Sequence, residues 1–192
     1  MGPGLRLRVL SAAALGSLLL LAASPAAARV LLTQPQALAL AFADGGKPER
    51  RTAYLTEAQR QAAEESGRVK IDARVWPYYV GVSSRGVTGY AYFDTHVVRS
   101  MPETLMVVLE PGGEVRAVEV LSFLEPDDYL PNARWLAQFR GKALKDDLVA
   151  HRGVRNLGGA SLTSQAAADA VRRVLAVHAA AAAPVAVQSP PR

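Results

Sequence analysis

The stretch of this chain richest in chemistry reads Gly153-Val154-Arg155-Asn156-Leu157-Gly158-Gly159-Ala160-Ser161-Leu162-Thr163-Ser164-Gln165. A glycine-rich turn runs into three hydroxyl side chains, and Ala167, Ala170, Val171, Val174 and Leu175 then recur at helical spacing. The hydroxyls therefore stand where a helix begins. Glycines let a ligand approach the backbone closely. The unpaired N–H groups of a helix start, joined by the hydroxyls of Ser161, Thr163 and Ser164, are suited to a phosphate. Arg155 adds a guanidinium that can pair with a bound phosphate. The same residues also make an ordinary helix cap with no ligand, and on residue types alone both readings stand.

Other reactive side chains are sparse. There is no cysteine, which excludes disulfides, thiolate metal sites and iron–sulfur clusters. His96, His151 and His178 show no metal-ligand spacing, so the default for each is exposure or a local hydrogen bond. Ser161 has no partner base in the sequence and lies in no G-x-S-x-G elbow. A Walker loop and a G-x-G-x-x-G fingerprint are also missing. No catalytic amino acid is evident. Of Tyr90, Tyr92, Phe93 and His96, alternation within the expected strand 89–94 lets at most Tyr90 and Tyr92 share a side; they serve either as core or as a ring wall. Glu125, Asp127 and Asp128 read as helix caps. Arg172 and Arg173 fall off the apolar stripe of the last helix and read as a solvated face.

The elements that must position the turn follow from periodicity. Capping boxes at Thr33-Gln34-Pro35-Gln36 and Thr56-Glu57-Ala58-Gln59 open two helices. From Val69 the period shifts towards two: 75–82 and 89–94 are aromatic and β-branched strands joined by a turn at 83–86. Thr104 to Leu109 and Val115 to Phe123 form a hairpin around Pro111-Gly112-Gly113. Trp135 and Phe139, four apart, share one face of a further helix. The sum is an α+β fold, an antiparallel β-sheet with flanking helices in a single domain. Four stretches divide the chain: a signal peptide at 1–28, an N-terminal helical segment at 29–68, the main domain at 69–178 and a disordered tail at 179–192. Arg6 and Arg8, the apolar run Val9 to Ala23 and the small residues Ala26-Ala27-Ala28 are what export with cleavage after Ala28 requires, which places the mature protein in the periplasm. Without the two arginines of that segment the balance is 20 basic against 17 acidic groups, too mild for a nucleic-acid surface.

Gly159-Ala160-Ser161-Leu162-Thr163-Ser164 resembles the S/T-G-A-T-x-T/S signature of the FMN-binding domain family. That family includes periplasmic flavin subunits of the sodium-translocating NADH:quinone oxidoreductase and of the Rnf complex, together with exported single-domain proteins. The order of elements over roughly residues 75–178 is similar as well. The resemblance implies FMN as cofactor, its phosphate at Gly158, Gly159, Ala160, Ser161, Thr163, Ser164 and Arg155. It implies a flavin transferase that joins the phosphate to the hydroxyl at Ser161, and electron transfer with a membrane-bound redox complex. Ser161 replaces the family's threonine and keeps a hydroxyl. Gly158 replaces a Ser/Thr, and Arg155 stands where the family commonly has aspartate, a charge reversal that favours reversible phosphate binding. These departures also motivate an alternative, a cofactor-free envelope assembly or binding factor on the same fold.

Overall fold

The computed structural model describes residues 29–182; the expected signal peptide at 1–28 and positions 183–192 of the expected tail lie outside them. Six strands form one antiparallel sheet: β1 (Arg29–Val30), β2 (Lys47–Tyr54), β3 (Val75–Ser83), β4 (Gly86–Val98), β5 (Met101–Leu109) and β6 (Val115–Phe123). Their order is β1-β6-β5-β4-β3-β2. The helices are α1 (Gln34–Ala41), α2 (Glu57–Gly67), the short α3 (Ala133–Leu136) and α4 (Ser161–Ala182). An antiparallel sheet with flanking helices is therefore the architecture, and the 104–123 hairpin forms where its Pro-Gly-Gly turn places it.

Both faces of the sheet are covered, which explains the unbroken apolar run Leu105-Met106-Val107-Val108-Leu109 of β5. Alternate residues of such a strand point to opposite faces. Leu105, Val107 and Leu109 join Tyr92, Trp135, Phe139 and the α4 residues Val171, Val174 and Leu175 in one core cluster. Met106 and Val108 join Ala91, Leu121 and the α1-side residues Ala37, Leu38 and Phe42 in a second. Both capping boxes form: the Thr33 N–H donates to Gln36 Oε1 at 2.9 Å, and the Thr56 N–H to Gln59 Oε1 at 2.9 Å. Helix α2 lies on α4 as well. A Cβ built on Gly67 would sit 2.9 Å from the Cβ of Ala176, so only glycine allows that approach.

Three expectations need correction. Residues 29–68 are not purely helical, because β1 and β2 supply the two edge strands of the sheet. Strand β2 reads Lys-Pro-Glu-Arg-Arg-Thr-Ala-Tyr and is mostly exposed; its charges suit an edge and hide its strand period. Residues 179–182 are the last turn of α4 rather than tail. Arg172 and Arg173 are not a solvated face: Arg172 is 9% exposed and Arg173 is half-buried. With the sheet on one side of α4 and α2 on another, its buried stripe is wider than the sequence spacing indicates.

Strand β4 is longer than its β3 neighbour. Pairing between them ends at Tyr78↔Tyr92, whereas β4 continues beside β5 to Val98↔Met101. Val75, Trp76 and Pro77 pair with β2 alone, and Pro77 has no N–H to offer β4. The sheet therefore opens between 75–77 and 93–96.

Candidate functional site

The glycine turn is held from beneath. Trp135 Nε1 donates to the Arg155 carbonyl at 2.7 Å, and the Arg155 N–H donates to Gln138 Oε1 at 2.9 Å. Next, the Leu157 N–H donates to Ser164 Oγ at 2.8 Å, Ser164 Oγ donates to the Ala160 carbonyl at 3.0 Å, and the Ala160 N–H returns to the Leu157 carbonyl at 3.0 Å. This ring of bonds fixes the entry to α4. Gly159 takes φ +74° within it, a left-handed conformation costing a residue with a Cβ roughly 1–2 kcal/mol.

That wiring divides the three hydroxyls. Thr163 and Ser164 are buried at 2% and 0% exposure, and the Ser164 hydroxyl is used up in holding the turn. The expectation that they join Ser161 around a phosphate is corrected: they turn inward, as does the side chain of Ala160. Ser161 points out and is exposed. Its Oγ accepts from Asn156 Nδ2 at 3.2 Å, and the same amide nitrogen donates to His151 Nε2 at 3.0 Å. Asn156 Oδ1 is buried with no partner among the described residues. Gly158, Gly159 and the side chain of Arg155 are exposed. Nothing lies within 4 Å of a Cβ placed on either glycine. The backbone N–H groups of Ser161, Leu162 and Thr163 have no acceptor among the described residues; the first hydrogen bond of the helix is from the Ser164 N–H to the Ala160 carbonyl.

These residues fit a phosphate. An outward hydroxyl, three free N–H groups at the positive end of a 22-residue helix, two open glycines and a nearby guanidinium are its usual partners. They offer no enclosure for a flavin ring. The slot beside them, lined by residues that include Arg99, Tyr129 and Leu162, holds only about 10 Å³.

A second cluster, which the sequence reading missed, lies further along α4. Asp94 Oδ1 accepts from His96 Nδ1 at 2.8 Å, and both Asp94 oxygens accept from Arg173 Nη1, at 2.8 and 2.7 Å. On the other side of the ring, His96 Nε2 bonds Glu103 Oε2 at 3.1 Å. Asp94 is 4% exposed and Glu103 fully buried. Burial alone would lower the His96 pKa; hydrogen bonds and charge from Asp94 and Glu103 outweigh it and raise the value to about 9. Burial likewise opposes ionisation of Asp94, yet His96 and Arg173 hold its carboxyl below the ordinary range. This cluster forms part of the wall of the opening in the sheet, a cleft of about 510 Å³ whose other wall carries Trp76 and Pro77.

His96 thus shares a side with Tyr90 and Tyr92. Tyr92 OH and His178 Nδ1 share a hydrogen bond of 2.9 Å, and Tyr78 stacks on Tyr92 at 5.0 Å. The aromatics of β4 are core, and none of them borders the glycine turn. Among the described residues, no group of three or more His, Asp or Glu side chains is placed to hold a metal ion. No family model matches the chain, and no curated protein matches it.

Proposed function

We propose that this protein is an exported FMN-binding domain acting in electron transfer, the flavin phosphate held at Gly158–Ser161. The single observation that carries this reading is the exposed Ser161 hydroxyl at a helix start whose first three N–H groups are free. Ser161 is the attachment point for a phosphoester, formed by a flavin transferase with net loss of water. The N–H groups of Ser161, Leu162 and Thr163 and the guanidinium of Arg155 offset the phosphate charge. Asn156 holds the Ser161 Oγ in place. The bound flavin supplies the redox chemistry and the protein supplies position. A covalent link keeps the cofactor where free FMN is scarce. The shallow slot leaves the ring open to a membrane-bound redox partner.

Intact mass of the protein co-expressed with a flavin transferase tests this. The expected result is an excess of one FMN less one water that survives denaturation, maps to the peptide containing Ser161 and is absent from Ser161→Ala. Flavin released on denaturation would keep the flavoprotein reading and remove the covalent link. Unmodified protein that takes up no added FMN would overturn the reading. The alternative would then be a cofactor-free assembly or binding role, which the lack of a ring enclosure favours.

A further inference from the structure

We propose a second ligand site, for a small oxyanion bearing phosphate or carboxylate groups, in the cavity bounded by the C-terminal end of α2, the 144–152 loop and α4. The cavity holds about 350 Å³, and its α2 side is remote in sequence from the glycine turn. Arg68, Lys145, Arg152 and Arg172 line it, against the two carboxylates Asp146 and Asp147. The three arginines come from separate elements: the cap of α2, the loop and the middle of α4.

Their existing partners do not exhaust them. Asp147 takes Arg152 through two hydrogen bonds, of 2.6 and 3.0 Å. Asp169 takes one Nη of Arg172. Among the described residues, Arg68 and Lys145 form no ion pair. The independent sign is Arg172 itself. It is nine-tenths buried, and its Nε–H has no acceptor. Buried guanidinium groups with an unmade bond are costly and uncommon. An oxyanion held between the Arg172 and Arg68 side chains that line the cavity balances the excess positive charge there. Guanidinium forks match the planar geometry of carboxylate and the faces of phosphate.

Isothermal titration calorimetry with inorganic phosphate and with citrate, at fixed ionic strength in chloride, decides it. A saturable site that depends on Arg172 and Arg68 is expected for at least one of the two, distinct from any phosphate taken by the glycine turn, and which anion binds there tells phosphate from carboxylate chemistry. Arg172→Gln should weaken binding tenfold or more. Arg68→Gln is a surface change that leaves folding intact, and should weaken it about fivefold. The proposal is overturned by absence of saturable heat with both anions, or by wild-type affinity in both arginine variants, which would move the anion to the glycine turn. Because the proposal does not rest on flavin binding, its failure and the failure of that reading are separately visible.

Discussion

The glycine turn at the start of α4 and the Asp94–His96–Glu103–Arg173 cluster, which meets α4 at Arg173, use their polar groups in opposite ways. At the turn, an exposed hydroxyl, three backbone N–H groups and a guanidinium are left uncommitted. In the cluster two carboxylates, an imidazolium and a guanidinium bind one another, with Glu103 Oε1 the one carboxylate oxygen of the cluster left without a partner among the described residues. Charges already paired and desolvated contribute to holding a structure and have little left to give a ligand. Solvated groups fixed from beneath cost the fold little and remain available. The turn is the candidate for binding, and the cluster is the clamp that fastens α4 to β4. The contrast can be broken by removing one group from each region and measuring stability and ligand separately.

Asp94→Ala should have the largest effect on stability. It removes the buried carboxylate between His96 and Arg173 and leaves two half-buried cations without their shared partner, which costs about 3–5 kcal/mol. Urea denaturation measures it, and a loss under 1 kcal/mol would end the clamp reading. Flavin content per folded molecule should not change.

The next effect needs no mutation. His96 keeps its proton up to about pH 9 in the folded protein, against 6.5 for an unperturbed histidine. Its contribution is therefore complete below pH 6.5 and is lost as pH rises through 9, amounting to roughly 3 kcal/mol. Stability should fall across that window, and an NMR titration should place the His96 midpoint near 9. His178, whose pKa burial lowers, should titrate below the ordinary histidine range. At the acid end the sign reverses: the share of Asp94 is present above its ordinary pKa and disappears as pH drops through its lowered one. A His96 midpoint near 6.5 would mean that the cluster is not closed as described.

Ser164→Ala divides the turn itself. The substitution strands the partly buried Leu157 N–H without its acceptor, so it should cost about 1–3 kcal/mol. Ser161→Ala, only three residues away, should change stability by less than about 0.5 kcal/mol while abolishing any covalent flavin. Equal stability losses in the two variants would show that the inward and outward hydroxyls are not distinct.

How far these regions could be read in the sequence depends on how local their causes are. The turn, the start of α4 and the hairpin around Pro111-Gly112-Gly113 each rest on residues within a few positions of one another, and all three were legible. The inward turn of Ser164 was not, because its cause is the Leu157 N–H seven residues earlier. The clamp joins β4 and β5 to a helix residue 79 positions beyond Asp94, and no local pattern links them. One signal did exist: Tyr90, Tyr92, Asp94 and His96 keep a period of two, and two ionisable residues continuing an aromatic stripe are a sign of buried pairing. Strand β2 was hidden by its charges, and Arg172 by counting one packing face on α4 where there are two.

The smallest difference lies between adjacent glycines. Both are exposed, and a Cβ on either meets nothing within 4 Å, so sterics from neighbours play no part in either substitution. Only Gly159 holds a positive φ, +74°. Gly159→Ala should therefore cost roughly 1–2 kcal/mol of backbone strain, whereas Gly158→Ala should be neutral or slightly stabilising, because alanine narrows the unfolded ensemble. If the open backbone of the turn matters for a phosphate, both should also weaken FMN uptake, Gly158→Ala without any loss of stability. That variant separates the two jobs of the turn: a stable protein with impaired uptake assigns its glycine to ligand approach, and a stable protein with normal uptake confines the binding surface to Ser161 and the helix N–H groups behind it.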